Sequence, residues 1–194
     1  MVSLFIATGA VRGRAGQDSE ESWLQDVCQG NFKMRKLHFF IQDALGGPNA
    51  TVWEVARSEI TSESPSSFGQ ILVVDDLITA TPDPNSMALG RAQGLITSAD
   101  LQVLALNMNL NFYFTQGEFK GSTLSILGRN PVMETDRELS VVGGTGVFRM
   151  ARGYAYSHTY SFDTTTDYGI LEYNVNVCCP YHGAPGDIEM VTNL

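Results

Sequence analysis

The sequence has few basic residues, few cysteines and no apolar run long enough to cross a membrane. Its 194 residues include 12 Lys and Arg against 21 Asp and Glu, which gives a formal net charge of −9 at pH 7. An acidic surface argues against nucleic acid and anionic membrane as partners. The apolar stretch at residues 2–11 is too short for a membrane span.

Cysteine and histidine are also too sparse for a structural metal site. The chain has three of each, with no C-x-x-C and no histidine at zinc-ligand spacing, so we expect no metal. An odd number of cysteines leaves at least one thiol unpaired within the chain.

What the sequence does have is a period of two from Lys36 onward. The clearest case is Leu104–Phe114, where leucine, methionine and phenylalanine alternate with asparagine. A helix would scatter these asparagines around its circumference, so the pattern predicts a strand. Similar runs between Gly- and Pro-rich turns predict strands at residues 36–42, 51–60, 71–76, 87–98, 104–114, 121–129, 137–142, 147–162 and 168–177.

Eight or nine strands with short turns are typical of an antiparallel barrel or sandwich. A barrel of about eight strands can hold one small ligand. Cys28 precedes the first predicted strand, and Cys178 and Cys179 end the last. Because the first and last strands of a barrel are neighbours, a disulfide from Cys28 to Cys178 or Cys179 is plausible, and three free thiols are an equal alternative.

We expect residues 1–35 to be a tail or the remnant of a signal peptide, residues 36–179 the barrel, and residues 180–194 a second tail. The apolar run at the start has the length of a secretory core, but no basic residue precedes it. A shortened signal peptide, an alternative start and a simple tail therefore remain open. Asn49 begins an N-glycosylation sequon in a Gly/Pro-rich turn, which also favours secretion.

Two charged residues stand on otherwise apolar strand faces. Asp43 continues the face that begins at Leu37, where it could act as a general acid or base or bind a phenol. Residue physics alone favours a strand-end aspartate that bonds the amides of the GGPNA turn. Arg137 begins the apolar face of the predicted strand at residues 137–142. If its side chain is buried, it needs a polar or anionic partner. Its alternative is a surface salt bridge to a nearby acid, namely Glu134, Asp136 or Glu138.

Glycines follow the strand that Arg137 heads. Gly143, Gly144 and Gly146 predict a tight turn before a strand that starts at Val147. A phosphate-binding loop is disfavoured, because neither a helix nor a Lys-Ser/Thr pair follows.

Five strings, in order between Lys36 and Val177, resemble those of plant dirigent proteins. They are FFIQDALGGPNAT at 39–51, VVDDLIT at 73–79, GRAQG at 90–94, GSTLSILGRNPV at 121–132 and VVGGTGVFRMARGYA at 141–155. The resemblance implies an all-β fold, an eight-stranded antiparallel barrel like that of allene oxide cyclases. It also implies a homotrimer secreted to the plant apoplast.

The resemblance further implies pocket residues. Asp43 aligns with the family's pocket aspartate and Arg137 with its pocket arginine. Asn130 replaces a second aspartate of lignan-forming members, and it can bind a phenol but cannot act as an acid. Ile96 and Ser98 replace tyrosines of those members. With Phe39, these three residues are the predicted ligand contacts, and the departures favour the subgroup with the LGRNP string over pinoresinol-forming proteins.

The function that the resemblance implies is stereocontrol without a cofactor. Such proteins orient phenoxy radicals that a separate oxidase, a laccase or peroxidase, produces, so we expect a small phenolic ligand. The alternative is a lyase of the same fold that forms a quinone methide, as pterocarpan-forming dehydratases do, with Asp43 as acid or base and Arg137 polarising a ligand oxygen. A carbohydrate-binding wall protein is a third possibility, although no additional lectin-like domain is visible in the sequence.

Overall fold

The computed structural model describes residues 32–180, and this part of the chain is almost entirely β-structure. The strands are β1 (Phe32–Ala44), β2 (Val52–Ala56), β3 (Ile71–Thr79), β4 (Ala88–Ser98), β5 (Ala105–Phe114), β6 (Thr123–Pro131), β7 (Arg137–Thr145), β8 (Arg152–Asp163) and β9 (Tyr168–Pro180). Short 3-10 segments follow β5, at Gly117–Phe119, and β7, at Gly146–Phe148. Cys28 and both predicted tails beyond these bounds lie outside the described residues.

Eight of these strands form a closed antiparallel barrel in the order β1-β9-β8-β7-β6-β5-β4-β3, which confirms the predicted fold. Closure comes from β3, which pairs with β1 through Leu77–Thr79. The other half of β3 pairs with β2. Both β1 and β2 run antiparallel to β3, so together they behave as one strand interrupted at residues 45–51. We call these seven residues the wall break.

The alternating pattern places the apolar rows inside the barrel. On β5, Met108, Leu110 and Phe112 are buried while Asn107 and Asn109 are exposed. One end of the interior is filled by aromatic rings, with centroid separations between 4.9 and 5.8 Å among Phe114, Phe119 and Phe148. Each fully buried ring contributes about 1.5–3 kcal/mol of hydrophobic stabilisation. The polar inward residues are therefore left to the opposite end.

The GRAQG string is explained by a close approach of β4 and β5. A Cβ atom at Gly90 would lie 2.1 Å from the carbonyl oxygen of Tyr113, and one at Gly94 would lie 2.1 Å from that of Asn109. Both separations are far inside van der Waals contact, so only glycine fits. This pair of glycines serves packing rather than ligand binding.

The predicted turn at residues 143–146 is wrong. Instead, β7 continues to Thr145, and the chain turns through the 3-10 segment so that β8 begins at Arg152. A Cβ atom at Gly144 would lie 2.4 Å from the carbonyl oxygen of Thr123. Gly144 therefore allows β7 to lie tightly against β6, where the pairing carries a bulge, and only Gly146, with a φ of 61°, belongs to the turn.

The start of the first strand, the two cysteines of the last strand and the search for membrane-spanning helices complete the description of the fold. The first strand starts at Phe32, so the barrel includes residues that we expected to be tail. Cys179 is a free, buried thiol and Cys178 is disulfide-bonded. Pairing with Cys28 stays a prediction. Within residues 32–180 there is no helix long and apolar enough to cross a membrane.

Candidate functional site

Polar side chains face the barrel interior at the end away from the aromatic cluster. Asp43 lies near the end of β1, Asn130 near the end of β6, and Arg137 at the start of β7. Because neighbouring strands are antiparallel, the end of one strand and the start of the next meet at the same rim. The structure thus brings together residues that are far apart in the sequence.

Asp43 and Asp76 form a pair of interior carboxyl groups. The β1–β3 ladder pairs Ile41 with Ile78 and Gln42 with Leu77, so the next step places Asp43 opposite Asp76. Burial raises the pKa of Asp43 to about 6. Burial first, and then the charge of Asp43, raise the pKa of Asp76 to about 8. The pair therefore holds a proton at neutral pH and can donate a hydrogen bond to a ligand.

The surroundings of Asp43 do not match the turn-bonding alternative. Among residues 32–180, no amide of the wall break donates a hydrogen bond to its carboxylate. On the β9 side its partner is Gly169, where a Cβ atom would lie 3.7 Å from Oδ2 of Asp43. The Phe162 ring, whose Cδ2 would lie 3.3 Å from such a Cβ, occupies this position beside the carboxyl group.

Arg137 is a buried cation with neutral partners. It is 3% exposed and donates to the carbonyl oxygen of Val132 at 3.0 Å, that of Ser157 at 3.3 Å and Oγ1 of Thr159 at 3.2 Å. No ion pair to Arg137 occurs in the described part of the chain, so the surface salt bridge is wrong. Burial lowers the pKa of Arg137, but a guanidinium stays charged at physiological pH. Its positive charge is thus available to an electron-rich ligand oxygen.

Tyr173 lies on β9, between β1, which carries Asp43, and β8, whose Ser157 pairs with Arg137. Its ring stacks on Phe39 at 5.9 Å with an interplanar angle of 8°, and it is fully buried. Burial raises its pKa, the neighbouring Ser157 hydroxyl and the charge of Arg137 lower it, and the charges of Asp43 and Asp76 raise it. Its hydroxyl is protonated and lies near that of Ser157 on β8, but among the described residues it makes no well-formed hydrogen bond. A buried polar atom of this kind is normally satisfied, so the hydroxyl is a natural contact for a bound ligand.

The predicted ligand contacts all lie on inward faces. Phe39, Ile96, Ser98 and Asn130 are buried. Asn130 donates through Nδ2 to the sulfur of Met108 at 3.6 Å, and its Oδ1 has no partner within residues 32–180. Asn49, in contrast, is exposed in the wall break, as a glycan acceptor must be.

Asp76 and Tyr173 were missed as site residues. Asp76 alternates with Val74 and Ile78, but Asp75 alternates in the same way with Val73 and Leu77, so the local pattern does not say which acid faces inward. The alternation along β9 places Tyr173 inside the barrel but gives no information about the surroundings of its hydroxyl. On the outer face of the barrel, Arg91 and Gln93 of β4 both donate hydrogen bonds to Asp75 of β3.

Comparison with known proteins shows one matching family and relatives that align over most of the chain. The family described as Dirigent-like protein matches residues 34–178. Dirigent protein 23 of Arabidopsis thaliana is 45% identical over 157 residues, which cover 80% of this chain and 84% of that protein. Pterocarpan synthase 1 of Glycine max is 42% identical over 142 residues, covering 73% and 76%. The solved pterocarpan synthase dirigent protein GePTS1 is 39% identical, with a TM-score of 0.73 and coverage of 80% and 96%.

Proposed function

This chain belongs to the dirigent family, and from that premise we propose that it binds small phenolic molecules in its barrel. There it would give stereoselectivity to the coupling of phenoxy radicals that a separate oxidase produces. The oxidase, a laccase or peroxidase, removes one electron and one proton from each phenol. Two radicals then share their unpaired electrons in one new bond, so the coupling step itself needs neither oxidant nor reductant from the protein.

The observation that carries this proposal is the placement of hydrogen-bonding groups at one end of an apolar interior. Arg137 and the Tyr173 hydroxyl can both donate to one ligand oxygen, and the carboxyl pair contacts a second position. Phe39 and Ile96 supply apolar wall. A ligand held at two points presents one face, and a preference of about 1.4 kcal/mol between faces gives a tenfold excess of one product.

A second function is favoured by one specific feature, the carboxyl pair. In a lyase that forms a quinone methide, a protonated carboxyl of Asp43 or Asp76 would give its proton to a departing hydroxyl, which leaves as water. A phenol on the same substrate would return a proton to the pair, so the reaction balances as loss of one water. Arg137 would stabilise the negative charge that develops on the phenolic oxygen as this proton leaves.

Secretion to the apoplast, a glycan at Asn49 and a homotrimer are further parts of the proposal. The exposed position of Asn49 supports the glycan. On the outer face, Trp53 pairs with Val73 and Val73 with Leu95, all three exposed, with Trp53 at 59%. A contiguous exposed apolar row of this kind supports contact with further copies of the chain.

Two assays on the purified full-length chain distinguish the functions. The first supplies an oxidase and an achiral phenol and measures the enantiomeric excess of the coupled product. The second supplies an isoflavanol-type substrate without oxidase and measures loss of water. Excess only in the first supports stereocontrol, turnover in the second supports the lyase, and activity in neither contradicts both.

A matched pair of arginine variants tests the site. Arg137→Met removes the interior cation, whereas Arg91→Met removes a cation on the outer face that bonds Asp75. We expect the first to abolish the observed activity and the second to retain it. Equal activity of the two variants would contradict the placement of the site inside the barrel.

A further inference from the structure

Thr51 holds a fixed position in the wall break. Its amide donates to the carbonyl oxygen of Ala44 at 2.9 Å, and its own carbonyl accepts from the amide of Asp75 at 3.0 Å. These two bonds join the end of β1 to the middle of β3. The backbone of Thr51 is therefore restrained on both sides, and so is the direction of its side chain.

The hydroxyl of Thr51 has a defined direction of donation. Its oxygen accepts a hydrogen bond from the amide of Ala44 at 3.2 Å. Its proton is then free for Oδ1 of Asp76, which lies 2.5 Å away. Because Oδ1 accepts this bond, a proton on the carboxyl pair must sit on Oδ2 of Asp76 or on Asp43.

We propose that Thr51, besides completing the Asn49 sequon, is a positioning residue whose hydroxyl orients the Asp76 carboxyl and directs the acidic proton towards Asp43 and the ligand. The inference rests on the site of the proposed function. It assigns to one side chain two separate tasks, recognition of the sequon and control of the interior acid. A variant made at Thr51 to prevent glycosylation would therefore also change the site.

Thr51 opposes several other influences on Asp76. A hydrogen bond to the charged form favours ionisation, whereas burial and like charges oppose it. Among the described residues, the charged and titratable groups that interact with Asp76 are Asp43 of β1, Asp75 of β3, Arg91 of β4, and Tyr168 and Tyr173 of β9. Two groups favour the carboxylate of Asp76, namely the Thr51 hydroxyl and Arg91, and the cation of Arg91 lies on the outer face.

The test is a carboxyl titration of the full-length protein by 13C NMR, with labelled aspartate and no ligand. Protein from a bacterial host carries no N-glycan, so the sequon is silent and only the hydroxyl matters. Thr51→Val and Thr51→Ala both remove the hydroxyl. Valine keeps the branched shape of the threonine side chain, whereas alanine has no branch at Cβ. Thr51→Ser keeps the hydroxyl, and Asn49→Gln changes the wall break without touching Asp76.

We expect the midpoint of Asp76 to rise by about one pH unit or more in Thr51→Val and Thr51→Ala, because a hydrogen bond to a charged group is lost. The midpoint should stay at the wild-type value in Thr51→Ser and Asn49→Gln. Folded hydroxyl-free variants that titrate like wild type would overturn the proposal, as would an equal shift in Asn49→Gln.

The titration needs no substrate, so its result is independent of the proposed function. A shifted midpoint in a protein that lacks both activities supports the role of Thr51 and contradicts the function. Where activity is present, its pH profile should move upward with the midpoint in Thr51→Val. A profile that stays fixed while the midpoint moves would separate Asp76 from the reaction and overturn the ligand-directed part of the proposal.

Discussion

Replacing Asp76 by asparagine should make the protein more stable at pH 8 than the wild type. Asp76 is 4% exposed and its carboxyl accepts from Thr51. The amide oxygen of asparagine can accept the same bond, and its nitrogen can donate to Asp43. The variant keeps the size and the bonds of the side chain and removes only the charge.

The size of the effect follows from the pKa of Asp76, which rises from 3.8 to about 8 on folding. A group with a raised pKa in the fold gives its full stability below the unfolded value and loses it as pH rises to the folded value. At about 1.4 kcal/mol per pH unit, roughly three units are crossed between pH 4 and pH 7. Since Asp43 shares the effect, we expect the variant to gain about 2–4 kcal/mol at pH 7–8 and nothing near pH 4.

The assay is urea unfolding at fixed protein concentration, followed by circular dichroism from pH 4 to pH 8. The matched control is Asp75→Asn, whose carboxyl lies on the outer face and whose pKa is lowered first by the bond from Arg91. This control should show no gain at high pH. A wild-type unfolding free energy that stays flat between pH 4 and pH 8, or an Asp76→Asn curve parallel to it, would refute the reasoning.

Three further predictions concern single side chains. Tyr173→Phe removes a hydroxyl that makes no well-formed hydrogen bond in the described chain, so the free energy of unfolding should stay level or rise. Phenol affinity, measured by calorimetry, should fall about 5- to 10-fold; equal affinity would contradict a role of the hydroxyl in binding. Arg137→Lys cannot reach all four oxygens that accept hydrogen bonds from the guanidinium, so the variant should lose about 2–4 kcal/mol of stability, seen as a lower melting temperature. Gly94→Ala would place Cβ against the carbonyl of Asn109 and should lose more than about 3 kcal/mol, and a wild-type melting temperature would contradict the close strand approach.

Most of the barrel could be predicted from the sequence because a strand's side chains alternate between two faces. Leu104–Phe114 was predicted as a strand, and β5 occupies Ala105–Phe114. The prediction failed where glycine has two meanings. At Gly144 the missing side chain permits close approach of β6 and β7, whereas Gly146, with a φ of 61°, begins the turn; only the register of the neighbouring strand decides between these uses.

The site was predicted in part for a similar reason. A charge on an apolar face identified Asp43 and Arg137 from local pattern alone. Asp76 follows Asp75 directly, and nothing local says which of the two acids faces inward; pairing with β1 and β4 settles this. The surroundings of the Tyr173 hydroxyl are formed by residues of four strands, and no short segment of the sequence contains all of these residues.

The wall break explains why two carboxyl groups occupy an apolar interior. The last pair of the β1–β3 ladder is Gln42 with Leu77, so Asp43 and Asp76 stand opposite each other one step beyond it, at the wall break, and not as a ladder pair, in which two like charges are destabilising. The GGPN sequence of the break cannot continue a strand, because proline lacks the amide that the ladder needs. Asp43 is half-buried just past the last β1–β3 pair, whereas Asp76 is buried and accepts a hydrogen bond from the Thr51 hydroxyl in the wall break. One proton shared by the pair then removes the repulsion between the two carboxylates. The carboxyl group whose protonated form stabilises the fold at low pH is thus the same group that the proposed chemistry would use.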